Sequence, residues 1–313
     1  MSDESAREQS EPSAASWKKT RDRGSPWLID LIIWIILHLG RTVGRLFLYP
    51  IVSYFILTSS TRRFSRRYLQ LNFKQANKKN PGFVDLFRHY YSFANMLLDR
   101  VYFLTGKSQQ FTITLHNVQL IDALVKEGKG AVLLGSHLGN FDALRALANE
   151  RDDVKIRALM YDNEQQNINL AFEKLNPSLK NDVIHIGTPN AMIQVQEDIQ
   201  QGYFIGMLAD RIEQDDRSVS CQFLGEEVQL PGGPLIVAYL LKAPVILCFA
   251  LHRGSNQYDI YFHLLQEKIL LPRKGREEAV QQLMQDYAGI LQQHAIEYPY
   301  NWYNFYDFWK DYE

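Results

Sequence analysis

A histidine and an aspartate with four residues between them, His137 and Asp142, carry the clearest chemistry in the chain. They stand in the string GSHLGNFD (135–142), which directly follows the apolar run AVLL. A turn after such a strand exposes side chains at the C-terminal edge of an α/β sheet, where ligands bind. Gly139 suits a tight turn and Asn140 suits the N-cap of a helix beginning near Phe141. Asp142 then falls in the first helical turn, from which its carboxylate can fold back to the imidazole. A carboxylate bonded to one ring nitrogen fixes the tautomer and raises the basicity of the other. Such a dyad takes the proton of a hydroxyl as that hydroxyl attacks a thioester. Backbone N–H groups at the helix start are placed to stabilise the oxyanion. Ser136 is a poor nucleophile candidate, because a strand reaching it turns its side chain away from that of His137.

The spacing alone says little, since with eight histidines and 35 acids in 313 residues at least one such pair by chance is roughly as likely as not. An internal contrast shows what adds specificity: His38-Leu39-Gly40 repeats HLG, but Val43 stands where the acid belongs. The strand before His137 and the helix after it give the string its meaning. Other chemistries lack their motifs. No GxGxxG follows a strand, no HExxH occurs, and Gly106-Lys107-Ser108 has Val101 where a P-loop needs glycine. At GSHLG the centre of a nucleophile elbow is histidine, not serine.

The elements that must hold the dyad follow from periodicity. From residue 111 onward, apolar runs at 111–115, 131–136, 154–161, 182–187, 204–209 and 244–251 alternate with helical stretches such as 141–150 and 191–200. This predicts an α/β fold with a central mixed, mostly parallel sheet flanked by helices. The alternating run 256–265 predicts an antiparallel strand at the edge. Residues 83–104 carry an aromatic stripe at helical spacing, read as core.

Composition bounds the rest. The chain is 46% hydrophobic and 22% charged, and its net charge of −1 argues against general nucleic-acid binding. Two cysteines, Cys221 and Cys248, supply neither a disulfide framework nor a four-cysteine zinc site. Residues 1–26 are polar, lack the apolar core of a signal peptide, and read as a disordered tail. Residues 27–70 read as a membrane-associated helical segment, and 71–313 as the catalytic domain. Each apolar half of 27–57 is shorter than a spanning helix, Arg41 and Arg45 interrupt them, and Pro50 is expected to kink a continuous helix. Three arrangements satisfy this: one span in an unusual register, two half-inserted helices, or a core hairpin. The basic cluster Arg62, Arg63, Arg66 and Arg67 follows at once, and that adjacency points to membrane attachment.

GSHLGNFD resembles the H-x4-D/E block of the lysophospholipid acyltransferase superfamily. The closer similarity is to the branch of bacterial lipid A biosynthesis acyltransferases, and within it to a group found beside fatty-acid-like and aryl polyene pathways. The strings RHYYSFANMLLDRVYFL (88–104), LADR (208–211), FLG (223–225), PGGP (231–234), APV (243–245) and PYNWYNFYDFW (299–309) resemble that group's blocks in order. The resemblance implies a catalytic domain on the cytoplasmic face of the bacterial inner membrane. It also implies transfer of a fatty or polyene acyl chain from an acyl carrier protein or CoA thioester to a hydroxyl or amine of a lipid or glycolipid acceptor. No metal or cofactor is implied. Two further roles fit the same fold, a non-catalytic lipid- or carrier-binding subunit and a thioesterase. The glycerolipid FPEGTR-like block is replaced here by FLGEEVQLPGGP (223–234), which argues against a glycerol-phosphate acceptor.

On this reading His137 and Asp142 are catalytic, and several residues are candidates for substrate binding. Asp210 and Arg211 close the strand at 204–209. Arg211 suits a phosphate of the donor's pantetheine arm or an acceptor anion, or else a local ion pair ordering the loop. Arg145, one turn beyond Asp142, faces the same cleft or solvent. Asn140 orients substrate or caps its helix. Gly233, within PGGP, shapes a channel or makes a plain turn, and Arg253 is a candidate anion contact after a strand. A long groove lined by Phe, Tyr and Leu is expected to select chain length by depth, and the aromatic string at 301–306 to pack over the core or that groove.

Overall fold

The sheet that carries the site has at its centre strands too apolar to face water on either side. A computed structural model of the chain describes residues 26–161, 167–212 and 217–309. The expected tail lies, up to residue 25, outside them. The chain begins with α1 (Pro26–Leu39), α2 (Arg41–Thr58), α3 (Arg62–Gln75) and α4 (Phe83–Leu104). Strand β1 (Thr112–His116), α5 (Gln119–Lys126), β2 (Ala131–Gly135), α6 (Phe141–Asn149), β3 (Ile156–Tyr161), α7 (Asn167–Leu175), β4 (Val183–Ile186), α8 (Ala191–Gln200) and β5 (Phe204–Leu208) follow. The remainder comprises β6 (Ser218–Phe223), β7 (Glu226–Pro231), α9 (Gly233–Leu241), β8 (Val245–Gly254), β9 (Gln257–Gln266) and α10 (Arg276–Glu297).

Seven strands form one sheet in the order β1-β9-β8-β2-β5-β3-β4. Every neighbouring pair is parallel except β8 and β9. Strand β2 is central and wholly buried, as expected for a strand covered on both faces. Its alternate residues feed two cores. Val132 and Leu134 join Ile205, Leu247 and Phe249 on the side of α9 and α10, whereas Leu133 joins Phe204, Ile246 and Phe262 on the side of α4 to α6.

One expectation needs correction, and two features were not foreseen. The antiparallel strand at 256–265 is not at the edge, because β1 pairs with its outer side in parallel. The stretch FLGEEVQLP is the turn and second arm of an antiparallel hairpin, β6 and β7, with Leu224 and Gly225 at the turn in positive φ. Its glycine and loop residues read as a motif block and concealed the strands. The helical break between α1 and α2 falls at Gly40, whose φ of 86° suits glycine, and Pro50 lies inside α2.

Helices α1 and α2 lie against α4 through Ile36, Leu48, Val52 and Ile56, all buried. Arg41, awkward for a bilayer centre, is buried in protein. Its guanidinium meets both carboxylate oxygens of Asp99 in α4 at 2.6 and 2.8 Å. Asn95 and Tyr258 also donate to Asp99, at 3.1 and 2.8 Å. No single helix among the described residues is long and apolar enough to cross a membrane. The outer faces of α1 and α2 nonetheless expose Trp27, Trp34, Leu46, Phe47, Tyr54 and Leu57, with Phe83 and Val84 of α4 also exposed.

Candidate active site

Parallel pairing aligns Gly135 of β2 with Leu208 of β5. Residues two places beyond each strand end, His137 and Asp210, therefore emerge side by side at the C-terminal edge of the sheet. The Nδ1 of His137 lies 2.8 Å from Oδ1 of Asp210, and the His137 backbone N–H donates to Oδ2 at 2.9 Å. Trp302 Nε1 donates to the same Oδ2 at 3.0 Å. Burial opposes ionisation of Asp210, but the charge and hydrogen bond of His137, with Arg211 and Trp302 nearby, outweigh it and hold the carboxyl at about 2. An ionised carboxylate can only accept, so the Nδ1 must carry the proton. In the neutral form of that ring Nε2 is the basic nitrogen.

The imidazole's carboxylate partner is thus Asp210 and not, as the spacing suggested, Asp142. Asp142 is in the first turn of α6 as expected, but its Oδ2 lies 2.5 Å from Nε of Arg100 in α4. Arg100 also stacks on Phe172, 4.4 Å from the ring centre. The helix start is braced by this ion pair, and the cap forms as predicted: Asn140 Oδ1 accepts the Asp142 N–H at 3.1 Å.

The turn is shaped by contacts no other residue would allow. A Cβ on Gly139, at φ 89°, would stand 2.1 Å from the carbonyl oxygen of Ala250. A Cβ on Gly206 would stand 2.5 Å from the Phe141 ring, which lies across β5. The N–H groups expected to serve an oxyanion are mostly engaged. His137 donates to Asp210, Leu138 to Ser136 Oγ, Gly139 to Asn301 O, Asn140 to Ala250 O and Asp142 to Asn140.

The C-terminal string packs over the site as a strap. Leu138 and Trp302 form an antiparallel bridge, and the Tyr303 N–H donates to His137 O at 2.9 Å. Asn301 Oδ1 accepts the His252 N–H at 2.8 Å, tying the strap to β8. Trp302 is fully buried between Tyr68 and Phe223, and its carbonyl meets Nε2 of His89 at 2.7 Å. From the sequence, Asn301 and Trp302 are read only as part of the packing string at 301–306, and Arg100 only as part of the 88–104 block. Their signal was the aromatic density of the C-terminal string and the arginine inside the 88–104 block.

The other candidates are placed as follows. Arg211 donates from Nη2 to Tyr303 O at 3.1 Å, and its guanidinium lies 5.3 Å from the Tyr306 ring centre. Arg145 pairs with Asp182, ahead of β4. Gly233 begins α9, after a turn in which the Gly232 N–H donates to Arg217 O at 2.8 Å. Arg253 is exposed and lies 3.7 Å from Asp259. The structure therefore gathers His137, Asn140, Asp210 and Arg211 with Asp142 behind them, whereas Arg145 and Arg253 are held by other carboxylates.

Among the described residues, the cavities at the expected groove are small. Beneath the turn is a cavity only large enough for about one water, lined by Ser136, Leu138, Phe141, Leu144 and Cys248 among others. A second small apolar cavity, lined by Ile121, Leu133, Leu147, Ile156, Phe204 and Phe262, shares Leu144 with it.

Over residues 13–311 the chain matches the family model described as bacterial lipid A biosynthesis acyltransferase. No curated protein matches the chain.

Proposed function

From its membership of the bacterial lipid A biosynthesis acyltransferase family, and so from an acyl donor and a lipid acceptor as substrates, we propose that the chain transfers the acyl group of a carrier-protein or CoA thioester to a hydroxyl or amine with His137 as general base. The observation that carries this reading is the Nδ1 bond of His137 to the buried, ionised Asp210. With Nδ1–H fixed, Nε2 accepts the acceptor's proton as its oxygen attacks the thioester carbonyl. The imidazolium that forms is stabilised by Asp210, and it returns the proton to the leaving thiolate. Asp142, held by Arg100, anchors the start of α6 against α4 and fixes the turn that presents the imidazole. The exposed apolar faces of α1 and α2 rest on the membrane surface that holds the acceptor. The exposed arginines of α3, Arg62, Arg63 and Arg66, meet its anionic headgroups.

The test supplies purified protein with an acyl thioester and bacterial membrane lipid, and follows acylated lipid by mass spectrometry. His137→Ala is expected to abolish transfer while circular dichroism stays unchanged; retained turnover would refute the mechanism. Free acid released at the same rate with and without lipid would make the protein a thioesterase instead.

A further inference from the structure

The strap that bonds the backbone of His137 carries a buried polar side chain without a hydrogen-bond partner. Asn304 is 3% exposed, yet neither its Oδ1 nor its Nδ2 has a hydrogen-bond partner. Buried amides are almost always satisfied, because leaving both ends dry forfeits the water bonds without replacing them. The neighbouring Arg211 shows the same deficit at one atom, its Nε being buried and unpartnered. The two belong to one locus. Arg211 bonds the carbonyl of Tyr303 and lies over Tyr306, so its guanidinium spans the strap on either side of Asn304. The preceding residue, Tyr303, bonds the backbone of His137.

We propose that Asn304, with Arg211, binds the pantetheine arm of the thioester donor, Asn304 pairing with the arm's amide nearest the sulfur. This inference rests on the acyl-transfer reading above. A secondary amide offers one donor and one acceptor, the complement of a side-chain amide with both atoms unused. In every pantetheine thioester that amide stands two carbons from the sulfur, close to the carbonyl under attack. Arg211 Nε supplies a donor for a carbonyl or phosphate oxygen further along the arm. Asn304 is thus a specificity residue for the carrier arm and takes no proton.

The experiment titrates two hexanoyl thioesters that differ in that amide, S-hexanoyl-N-acetylcysteamine and S-ethyl hexanethioate, and follows binding by tryptophan fluorescence. The full chain is expected to bind the amide-bearing thioester about tenfold more tightly. In Asn304→Leu, and in Asn304→Ser as a smaller polar variant, the ratio is expected to fall to about one. A ratio taken within one sample does not depend on the folded fraction. A ratio unchanged in both variants overturns the inference, and so does failure of both to fold, which would make the amide structural. Wild-type protein that binds both thioesters equally also overturns it and leaves the acyl-transfer reading intact. Binding of neither defeats both. Hexanoyl-CoA and hexanoyl-carrier protein share the arm, so whichever binds should lose the same factor in Asn304→Leu; undiminished affinity for both overturns the assignment.

Discussion

His137 Nδ1 and Asp210 Oδ1 stand 2.8 Å apart although they are 73 positions apart in sequence, because their strands are parallel neighbours with Gly135 opposite Leu208. The carboxylate is buried and holds its proton only below about pH 2, so it acts as a fixed acceptor at physiological pH. Asp210→Asn replaces that acceptor with an amide that can donate, and releases the ring to the other tautomer. Turnover is expected to fall by roughly 10³–10⁴-fold with the fold retained, by analogy with a triad that loses its orienting carboxylate. Single-turnover transfer from a radiolabelled thioester checks this, and a loss below tenfold would remove Asp210 from the mechanism.

Trp302 tests whether the strap orients that carboxylate. Trp302→Phe keeps an aromatic ring among Tyr68 and Phe223 but removes the Nε1 donor to Oδ2. A hydrogen bond to a charged group contributes about 1.5–3 kcal/mol, so urea unfolding should show a loss of that order. The Asp210 carboxyl should also titrate higher, since one of the bonds that lower it is gone. An unchanged midpoint would mean that the bond contributes nothing.

Much of this architecture was legible in the sequence because β2, β5 and β8 are continuous apolar runs bounded by turns, and α4 and α6 keep a helical period. The turn at 135–142 was legible too, since Gly139 and Asn140 each have one evident use there. What escaped was pairing between distant segments. Asp142 stood close to His137 in sequence and drew the assignment, whereas Asp210 becomes the partner only once β2 and β5 are known to be adjacent. The carboxylate of Asp142 was claimed by Arg100, on a helix that read as plain core. The β6–β7 hairpin escaped because its residues are mixed in polarity and its turn is Leu224-Gly225, without the Asn-Gly or Asp-Gly pair that marks a tight hairpin.

His89 predicts how stability depends on pH. It is fully buried, with Nδ1 2.7 Å from Ser65 Oγ and Nε2 2.7 Å from Trp302 O, and burial pushes it from 6.5 down to about 4. The folded state binds this proton less readily than the unfolded state. Its contribution is therefore complete above about pH 6.5 and lost as pH falls toward 4, on the order of 3 kcal/mol in all. His89→Gln, which keeps a donor and an acceptor, should flatten that part of the curve measured by urea unfolding. A slope equal to wild type between those pH values would show that His89 does not report it.

The Arg41–Asp99 pair decides whether α1 and α2 are part of the folded domain. Both side chains are buried, and removing one leaves the other charged and unpaired. Asp99→Ala should cost about 3–5 kcal/mol, and Arg41→Met combined with Asp99→Leu should recover most of it. If the helices served only as a detachable anchor, Asp99→Ala would leave the unfolding of the rest of the chain unaltered. Leu46→Ser with Leu57→Ser, on the exposed face, should instead leave stability within about 0.5 kcal/mol and weaken sedimentation with anionic vesicles. Equal sedimentation would dismiss that face as the membrane contact.

Leu144 is the one lining residue common to the cavity under His137 and the apolar cavity beyond it, and at 4% exposure it forms the wall between them. An acyl chain entering beneath the turn must pass Phe141 and then Leu144 to reach the surface formed by Leu133, Ile156 and Phe204. Each further methylene buried is worth about 0.8 kcal/mol, roughly fourfold in affinity. Leu144→Ala opens the wall and should move the preferred thioester to longer chains, whereas Leu144→Trp fills the first cavity and should move it to shorter ones. Competition among a mixed set of acyl thioesters, read as product masses, measures both shifts in one reaction. A preference that stays put in both variants would place the chain elsewhere, and opposite displacements in the two would locate its path between α6 and the sheet.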